Sequence, residues 1–301
     1  MFKKIIQQNN DFTIIIPANF YPLAEISICL LNYFYPQIKI LISYDKKVDI
    51  INRKKIISRF NNVSFVRNKF NLGHGKQLNY LINFVNTKYF ITYDDDSFMW
   101  KYGIIEFINE VINENDFIIN IQSTVSFKND SGKRLNNLSI RALPCFSVGK
   151  TEIFLKYNMS FENSMYNISK KNNILFDVGS FVLSDIMRYN LLMKIINITD
   201  VSDYINHIEY LSFIFSKFNY YNVCDNFNKI QPVSLQKIKN YQNYELDIQK
   251  KFNLIQRYIN ISNIILEKNL KYPDDYQIMF SNHQDIFYEN YKNNIDIKKM
   301  L

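Results

Sequence analysis

An α/β fold built on a doubly wound sheet is predicted by three features of the chain. Short β-branched or apolar runs, beginning with Phe12–Ile16, alternate with stretches of helical periodicity, the pattern that feeds parallel strands through crossover helices. Two of only six glycines, Gly73 and Gly75, sit two apart in a loop that leads into a helix; glycine at such a spacing lets the backbone adopt conformations or approaches that a side chain forbids. A strand after that helix ends in three consecutive carboxylates, Asp94, Asp95 and Asp96. The carboxyl ends of strands border the ligand crevice in open α/β sheets, so the loop and the acids mark one functional place.

Taken in order, Phe12–Ile16 is a strand stopped by Pro17, and Ile26–Tyr35 is the first crossover helix. Ile38–Tyr44 is a second strand with Asp45 just past its end, Lys46–Phe60 a basic helical segment and Val63–Val66 a third strand. After the glycine loop, Leu78, Leu81, Ile82 and Val85 recur at helical spacing, and Tyr89–Tyr93 is a buried strand. A helix is expected from near Tyr102, a strand over Asp116–Val125 and a polar turn with Gly132 over Lys128–Arg134. Residues 135–175 show little periodicity. Phe176–Leu183 reads as a strand containing Gly179, Asp203–Leu211 as the entrance to a helix and Tyr220–Cys224 as a last short strand. Beyond Pro232 the chain turns polar and helical, which divides it into a domain over 1–230 and a helical appendage over 231–301.

Composition bounds the function. With 301 residues and 47% hydrophobic content the chain can bury a large core. A net charge of +8 favours anionic partners, among which nucleotide phosphates, lipid-linked acceptors and acidic membranes rank above nucleic acid. No zinc-finger spacing or RNA-binding motif occurs, and the basic residues are scattered. Cys29, Cys145 and Cys224 lie apart without metal-ligand spacing, as expected of reduced core thiols in a cytoplasmic protein. The apolar run near Met1 is too short for a signal peptide, and nothing reaches the length of a transmembrane helix. His283 and the pair Asp274-Asp275 have no motif around them and read as surface residues.

Three adjacent carboxylates repel one another, and a hard divalent cation such as Mg²⁺ or Mn²⁺ relieves that repulsion. The other reading of Asp94, Asp95 and Asp96 is a solvated turn or a cap for the helix that follows. In the loop, Asn71 and Gly73 are suited to setting backbone N–H groups around a phosphate or ribose, and Lys76 to a charge-assisted contact with a diphosphate. Trp100, the sole tryptophan, suits either a sugar-stacking or an anchoring role.

Asn71-Leu72-Gly73-His74-Gly75-Lys76-Gln77-Leu78-Asn79 matches the pattern Asn-x-Gly-Lys-Gly-x-x-Leu-Asn with His74 in the Lys position, and Tyr93-Asp94-Asp95-Asp96 matches a DxD motif. By these motifs and their order the chain resembles the glycosyltransferases of the GT-A fold, closest to the inverting family 2, over roughly residues 11–225. That resemblance implies a Rossmann-like mixed sheet and a nucleoside-diphosphate sugar as donor. It places Pro17 and Asn19 beside the nucleotide, Asp45 on the base, and Asp94 and Asp95 at the donor. Asp96 and Asp94 become metal ligands for Mn²⁺ or Mg²⁺, and Asp177 a sugar-hydroxyl acceptor.

Family members carry a Glu-Asp pair whose Asp is the general base, whereas here Asn206 and His207 occupy that place. His207-Ile208-Glu209-Tyr210 resembles a subset with Glu-His followed by an acid. His207 then serves as base or metal ligand, Glu209 orients it or acts itself, and Asp203 is the alternative base. The expected activity is transfer of a hexosyl or N-acetylhexosaminyl group, from UDP by preference, to a hydroxyl of a glycan or lipid-linked acceptor in surface polysaccharide or glycolipid synthesis. The expected place is the cytoplasm, with peripheral membrane contact, and inversion is the favoured outcome. The departure at Asn206-His207 motivates an alternative, an inactive nucleotide-sugar-binding or assembly protein. A nucleotidyltransferase would need a glycine-rich loop after the first strand, and Pro17-Ala18-Asn19-Phe20 has none.

Overall fold

The computed structural model describes residues 11–18, 21–44, 59–68, 72–112, 115–124, 127–128, 134–135, 139–162, 164–169, 172–176, 178–208 and 245–269. Its centre is β1 (Phe12–Pro17), whose residues are all buried. Alternation sends Phe12, Ile14 and Ile16 into one apolar cluster and Ile15 into another, the period of two that a strand covered on both faces imposes. The chain then forms α1 (Tyr21–Phe34), β2 (Lys39–Tyr44), β3 (Val63–Arg67), α2 (His74–Ile82), β4 (Tyr89–Thr92) and β5 (Ser97–Met99). It continues through α3 (Ile104–Ile112), β6 (Phe117–Thr124), β7 (Phe127–Lys128), β8 (Arg134–Leu135), β9 (Ser139–Lys150) and α4 (Thr151–Lys156). β10 (Ser164–Ser169), β11 (Asn172–Phe176), α5 (Ser180–Arg188), β12 (Met193–Ile196), α6 (Ile198–Ser202), β13 (Ile205–His207) and α7 (Glu245–Lys268) follow.

Seven strands form the main sheet in the order β12-β6-β9-β4-β1-β2-β3. β1 runs parallel to both β2 and β4, β2 parallel to β3, and β12 parallel to β6, while β9 lies antiparallel between β4 and β6. The sheet is therefore mixed, Rossmann-like and covered on both faces. Buried residues of α1, α3 and α7 join one cluster, those of α2, α4 and α5 the other. The strand order reverses between β1 and β4, which makes the crevice beyond their carboxyl ends the switch point of the sheet.

Three stretches depart from the sequence expectation, the shortest being Asp203–Leu211, expected as the entrance to a helix, in which Ile205–His207 pair as a strand with Ser97–Met99. Residues 135–175 contain β9, a twelve-residue strand at the heart of the sheet. It lacks visible alternation because Ala142–Gly149 are buried throughout, and because its pairing with β6 jumps from Ser147 to Ala142 while β6 advances only from Ile119 to Ile121. Pro144 falls inside that bulge, where its missing N–H breaks no ladder. The segment expected as a strand over Phe176–Leu183 instead turns at Gly179 into α5, since Val182, Leu183 and Ile186 recur at helical spacing and are buried.

The C-terminal helix packs into the same core as the sheet. Leu254, Ile255, Tyr258, Ile259, Ile261 and Ile265 belong to the cluster shared with α1 and β1, and the Cys29 thiol of α1 donates to the Ser262 carbonyl at 3.6 Å. Burial pushes the Cys29 thiol up to about 12. Among the described residues no helix is long and apolar enough to cross a membrane.

Candidate active site

The acidic stretch leaves the sheet at its switch point. Tyr93 N–H still donates to the Ile15 carbonyl of β1 at 3.0 Å, extending β4 by one bond. Asp94, Asp95 and Asp96 then make a tight turn closed by Ser97 N–H on the Asp94 carbonyl at 3.1 Å. From α1 the Ser27 hydroxyl lies within hydrogen-bond reach of the Asp95 and Ser97 carbonyls, at 2.9 and 2.7 Å. All three aspartates are buried, at 7%, 2% and 6% exposure. That burial is not what a solvated turn would show.

His207 arrives by strand pairing. β13 lies antiparallel to β5 with His207 opposite Ser97, and Ile208 N–H donates to the Asp96 carbonyl at 2.9 Å. This register sets His207 Nε2 at 3.2 Å from Asp96 Oδ1 and 3.5 Å from Asp94 Oδ2. One ligand atom from each of Asp94, Asp96 and His207 falls within 4.8 Å of the others, a group able to hold a metal ion. Two carboxylate oxygens and an imidazole nitrogen suit a divalent ion of the Mn²⁺ type, and the residues present fit such a group.

The glycine loop brings a second imidazole. Gly73 caps α2 with φ 77° and ψ 161°, a conformation essentially reserved for glycine. At Gly75 a Cβ would stand 2.4 Å from the Phe161 carbonyl oxygen, so the absent side chain lets α2 press against the 161–162 backbone. Asn79 fixes the same contact, donating to Ser160 Oγ at 2.8 Å and accepting from Phe161 N–H at 2.9 Å. Held in this way, the first residue of α2, His74, places Nε2 2.8 Å from Asp94 Oδ1.

Asp94 thus lies between two imidazoles. Burial alone would raise its carboxyl, but the charges and hydrogen bonds of His74 and His207 outweigh that and hold it below the ordinary carboxylate range. Burial works to lower His74, and the Asp94 carboxylate overcomes it and raises the imidazole above its ordinary value. Burial likewise opposes protonation of His207, yet the neighbouring Cys145 sulfur with the Asp94 and Asp96 carboxylates holds it well above the usual range. Both shifts favour the protonated imidazoles beside the ionised acids.

The other expected site residues distribute as follows. Pro17 ends β1 opposite Ser43 of β2 at the mouth of the crevice, and Ser43 Oγ donates to Gln77 Oε1 of α2 at 2.6 Å. Lys76 is exposed on the first turn of α2, 4.0 Å from Glu162. Asp95 stays in the turn between Asp94 and Asp96, held through its carbonyl. Asp203 caps the end of α6 and is not part of the Asp94, Asp96 and His207 group. Trp100 is buried and donates from Nε1 to the Ser202 carbonyl at 3.0 Å, an anchoring role. Asn19, Asp45, Asn71, Asp177 and Glu209 lie outside the described residues, as do most of the basic segment 46–60 and the strand expected at 220–224.

Sequence reasoning missed the contact of His74 with Asp94, although a histidine in a lysine position was visible. It also missed Cys145, whose segment gave no periodic signal, and Tyr258, whose phenol accepts from Asn206 Nδ2.

The family model described as glycosyl transferase family 2 matches residues 13–186. No curated protein matches the chain. Among solved structures it is similar to a mannosyltransferase from Pyrobaculum calidifontis in complex with GDP-Man and Mn²⁺, at 9% identity and a TM-score of 0.45, covering 62% of this chain and 55% of that one. It is similar to S. aureus TarS in complex with UDP-GlcNAc at 15% identity and 0.36, covering 50% and 48%. It is also similar to 4-diphosphocytidyl-2C-methyl-D-erythritolsynthase from Anaerococcus prevotii at 12% identity and 0.43, covering 64% and 89%. The chain spans about half the length of the first two. All three likenesses are remote.

Proposed function

The chain belongs to glycosyl transferase family 2, and from that premise we propose that it moves a sugar from a nucleoside-diphosphate donor to a hydroxyl of a glycan or lipid-linked acceptor, with metal assistance and inversion. UDP-hexose or UDP-N-acetylhexosamine is the proposed donor. Surface polysaccharide or glycolipid synthesis at the cytoplasmic side of a membrane is the proposed setting. The observation that carries the reading is the meeting of Asp94, Asp96 and His207 at the switch point of the sheet, with ligand atoms within 4.8 Å of one another.

When bound, Mn²⁺ or Mg²⁺ supplies neutralisation of the diphosphate charge that grows as the sugar leaves. Asp96, Asp94 and His207 would hold it. The N-terminal amides of α2, with Gly73 keeping the approach open and Lys76 on the exposed first turn, are suited to the diphosphate. Pro17, Asn19, Asp45 and Asn71 are assigned to the nucleoside side, and Asp95 and Asp177 to the sugar. An imidazole nitrogen committed to a cation has no lone pair left for the acceptor proton, so the proposed base is Glu209 or Asp203. Alignment of the acceptor hydroxyl opposite the leaving diphosphate supplies the rest of the acceleration.

Thermal shift against UDP, GDP, CDP and CMP, each with Mn²⁺ or chelator, tests the reading. A ligand that binds only the folded chain raises its melting temperature. Stabilisation by one nucleoside diphosphate only in the presence of metal is expected, followed by transfer from the matching donor. No shift with any nucleotide would overturn the assignment. Donor binding without hydrolysis or transfer over a broad acceptor panel would instead identify a nucleotide-sugar-binding protein.

A further inference from the structure

We propose that Tyr258 of α7 is a positioning residue for the cation site, acting through Asn206 on the strand that delivers His207. The inference rests on the reading of Asp94, Asp96 and His207 as the ligands.

β13 has three residues and, among the described residues, pairs with β5 alone, in a two-stranded sheet separate from the main one. Such a pair is marginal by itself, yet it fixes the third ligand. Burial on the side away from the ligands explains how it is held. Neighbouring side chains on a strand point to opposite faces. While His207 turns to the acids, Asn206 turns to α7, where its Nδ2 donates to the Tyr258 hydroxyl. Asn206 is the cross-strand partner of Phe98, and the Tyr258 ring stacks on Phe98 with centroids 4.9 Å apart and planes 22° from parallel.

One tyrosine therefore grips both members of a strand pair. The next pair along is His207 with Ser97, and Asp96 directly precedes Ser97. Asn206, Phe98 and Tyr258 are 4%, 0% and 0% exposed, so loss of the hydroxyl would leave a buried amide donor without its partner. Asn206 stands where similar transferases carry a carboxylate. The same place here holds a neutral side chain that ties the site to the C-terminal helix.

The full-length protein, stripped of metal, is titrated with Mn²⁺ by calorimetry for wild type, Tyr258→Phe, Asn206→Ala, the double variant and Ile265→Val. The last removes one methyl group from the same helix face, seven residues beyond Tyr258. Tyr258→Phe keeps the ring stack and is expected to weaken Mn²⁺ binding about tenfold, the low end for groups that orient metal ligands. Asn206→Ala is expected to do the same and the double variant no more, because the two act as one unit. Ile265→Val should leave Mn²⁺ affinity within about twofold. Amide exchange of residues 203–208 in metal-free protein should quicken in Tyr258→Phe and stay unchanged in Ile265→Val. Wild-type affinity in Tyr258→Phe with unchanged exchange would overturn the proposal. Failure of wild type to bind Mn²⁺ would instead refute the ligand reading; exchange at 203–208 then decides the coupling alone, faster exchange supporting it and unchanged exchange refuting it.

Discussion

Replacing His74 by alanine should make the metal-free protein less stable and, at the same time, make it bind Mn²⁺ more tightly. His74 Nε2 stands 2.8 Å from Asp94 Oδ1 with its side chain 27% exposed and that of Asp94 9% exposed. At that distance and an effective dielectric near 20, the gross attraction is about 6 kcal/mol. Lost hydration of both charges and the partly open imidazole reduce it to the ~1.5–2 kcal/mol typical of a hydrogen bond to a charged group. For a chain of this size, that loss corresponds to a drop in melting temperature of about 3–6 °C in chelator. A cation must displace the same His74 proton to reach Asp94, so removing the imidazole removes a competitor. The Mn²⁺ dissociation constant should fall by about ten- to thirtyfold, and the two proteins should approach equal stability once the metal is saturating. Thermal melts with chelator and over an Mn²⁺ series, paired with calorimetric titration, measure both quantities. Equal melting temperatures in chelator, or weaker Mn²⁺ binding by the variant, would refute this account of Asp94.

The same pair sets a pH window. His74 is raised above its ordinary 6.5, so its contribution is complete below 6.5 and is lost as pH rises through its folded value. Asp94 is lowered from 3.8, so its contribution is present above 3.8 and is lost as pH falls through its folded value. Urea melts in chelator should therefore show the largest gap between wild type and His74→Ala between pH 3.8 and 6.5, shrinking at higher pH; a gap that widens above pH 8 would contradict it. Asp96→Ala should fold normally but lose calorimetric Mn²⁺ binding and metal-dependent turnover, and near-normal turnover with added Mn²⁺ would defeat the ligand assignment. Gly75→Ala should destabilise the fold by about 1–3 kcal/mol, because a Cβ there meets the Phe161 carbonyl oxygen at 2.4 Å; an unchanged urea midpoint would show that the 161–162 backbone gives way freely. Cys29, with its thiol pushed up to about 12, should resist alkylation in native protein at pH 8 and react only after denaturation, as read by peptide mass mapping.

The parts of this molecule that were legible in sequence share a local cause. β1, β2 and β4 were readable as short apolar or β-branched runs and α2 by apolar residues at helical spacing, and the acids were readable because three carboxylates in a row lie at a strand end. β9 was not, because Arg141, Pro144, Ser147 and Gly149 interrupt its apolar residues and its bulge around Pro144 resets the register. α5 was misread because Phe181, Val182 and Leu183 are apolar in a row, and only Ile186 one turn later reveals the helical period. The delivery of His207 was hidden for a different reason. Its position depends on a three-residue strand paired with Ser97–Met99 and backed by a tyrosine from the last helix, and no local pattern encodes a pairing between such distant stretches.

The two departures from the family pattern, taken one at a time in the sequence, look like independent losses: a histidine for the loop lysine, and Asn206-His207 for the Glu-Asp pair. In the structure both histidines converge on one carboxylate, His74 on Oδ1 and His207 on Oδ2 of Asp94. The first substitution removes a fixed positive charge near the acids, and the second removes two carboxylates, one of them at position 207 beside the acids. At Asp94 itself the combination exchanges a lysine and the carboxylate of position 207 for two imidazoles, groups that titrate near neutrality and can also ligate a metal. A carboxylate at position 207 would set a fourth acid beside the buried turn that carries Asp94, Asp95 and Asp96, and a lysine at 74 would compete with a cation at every accessible pH. A single substitution back toward the family residue at either position should thus be more damaging than the two together, since each alone leaves the buried acids overcharged or permanently neutralised.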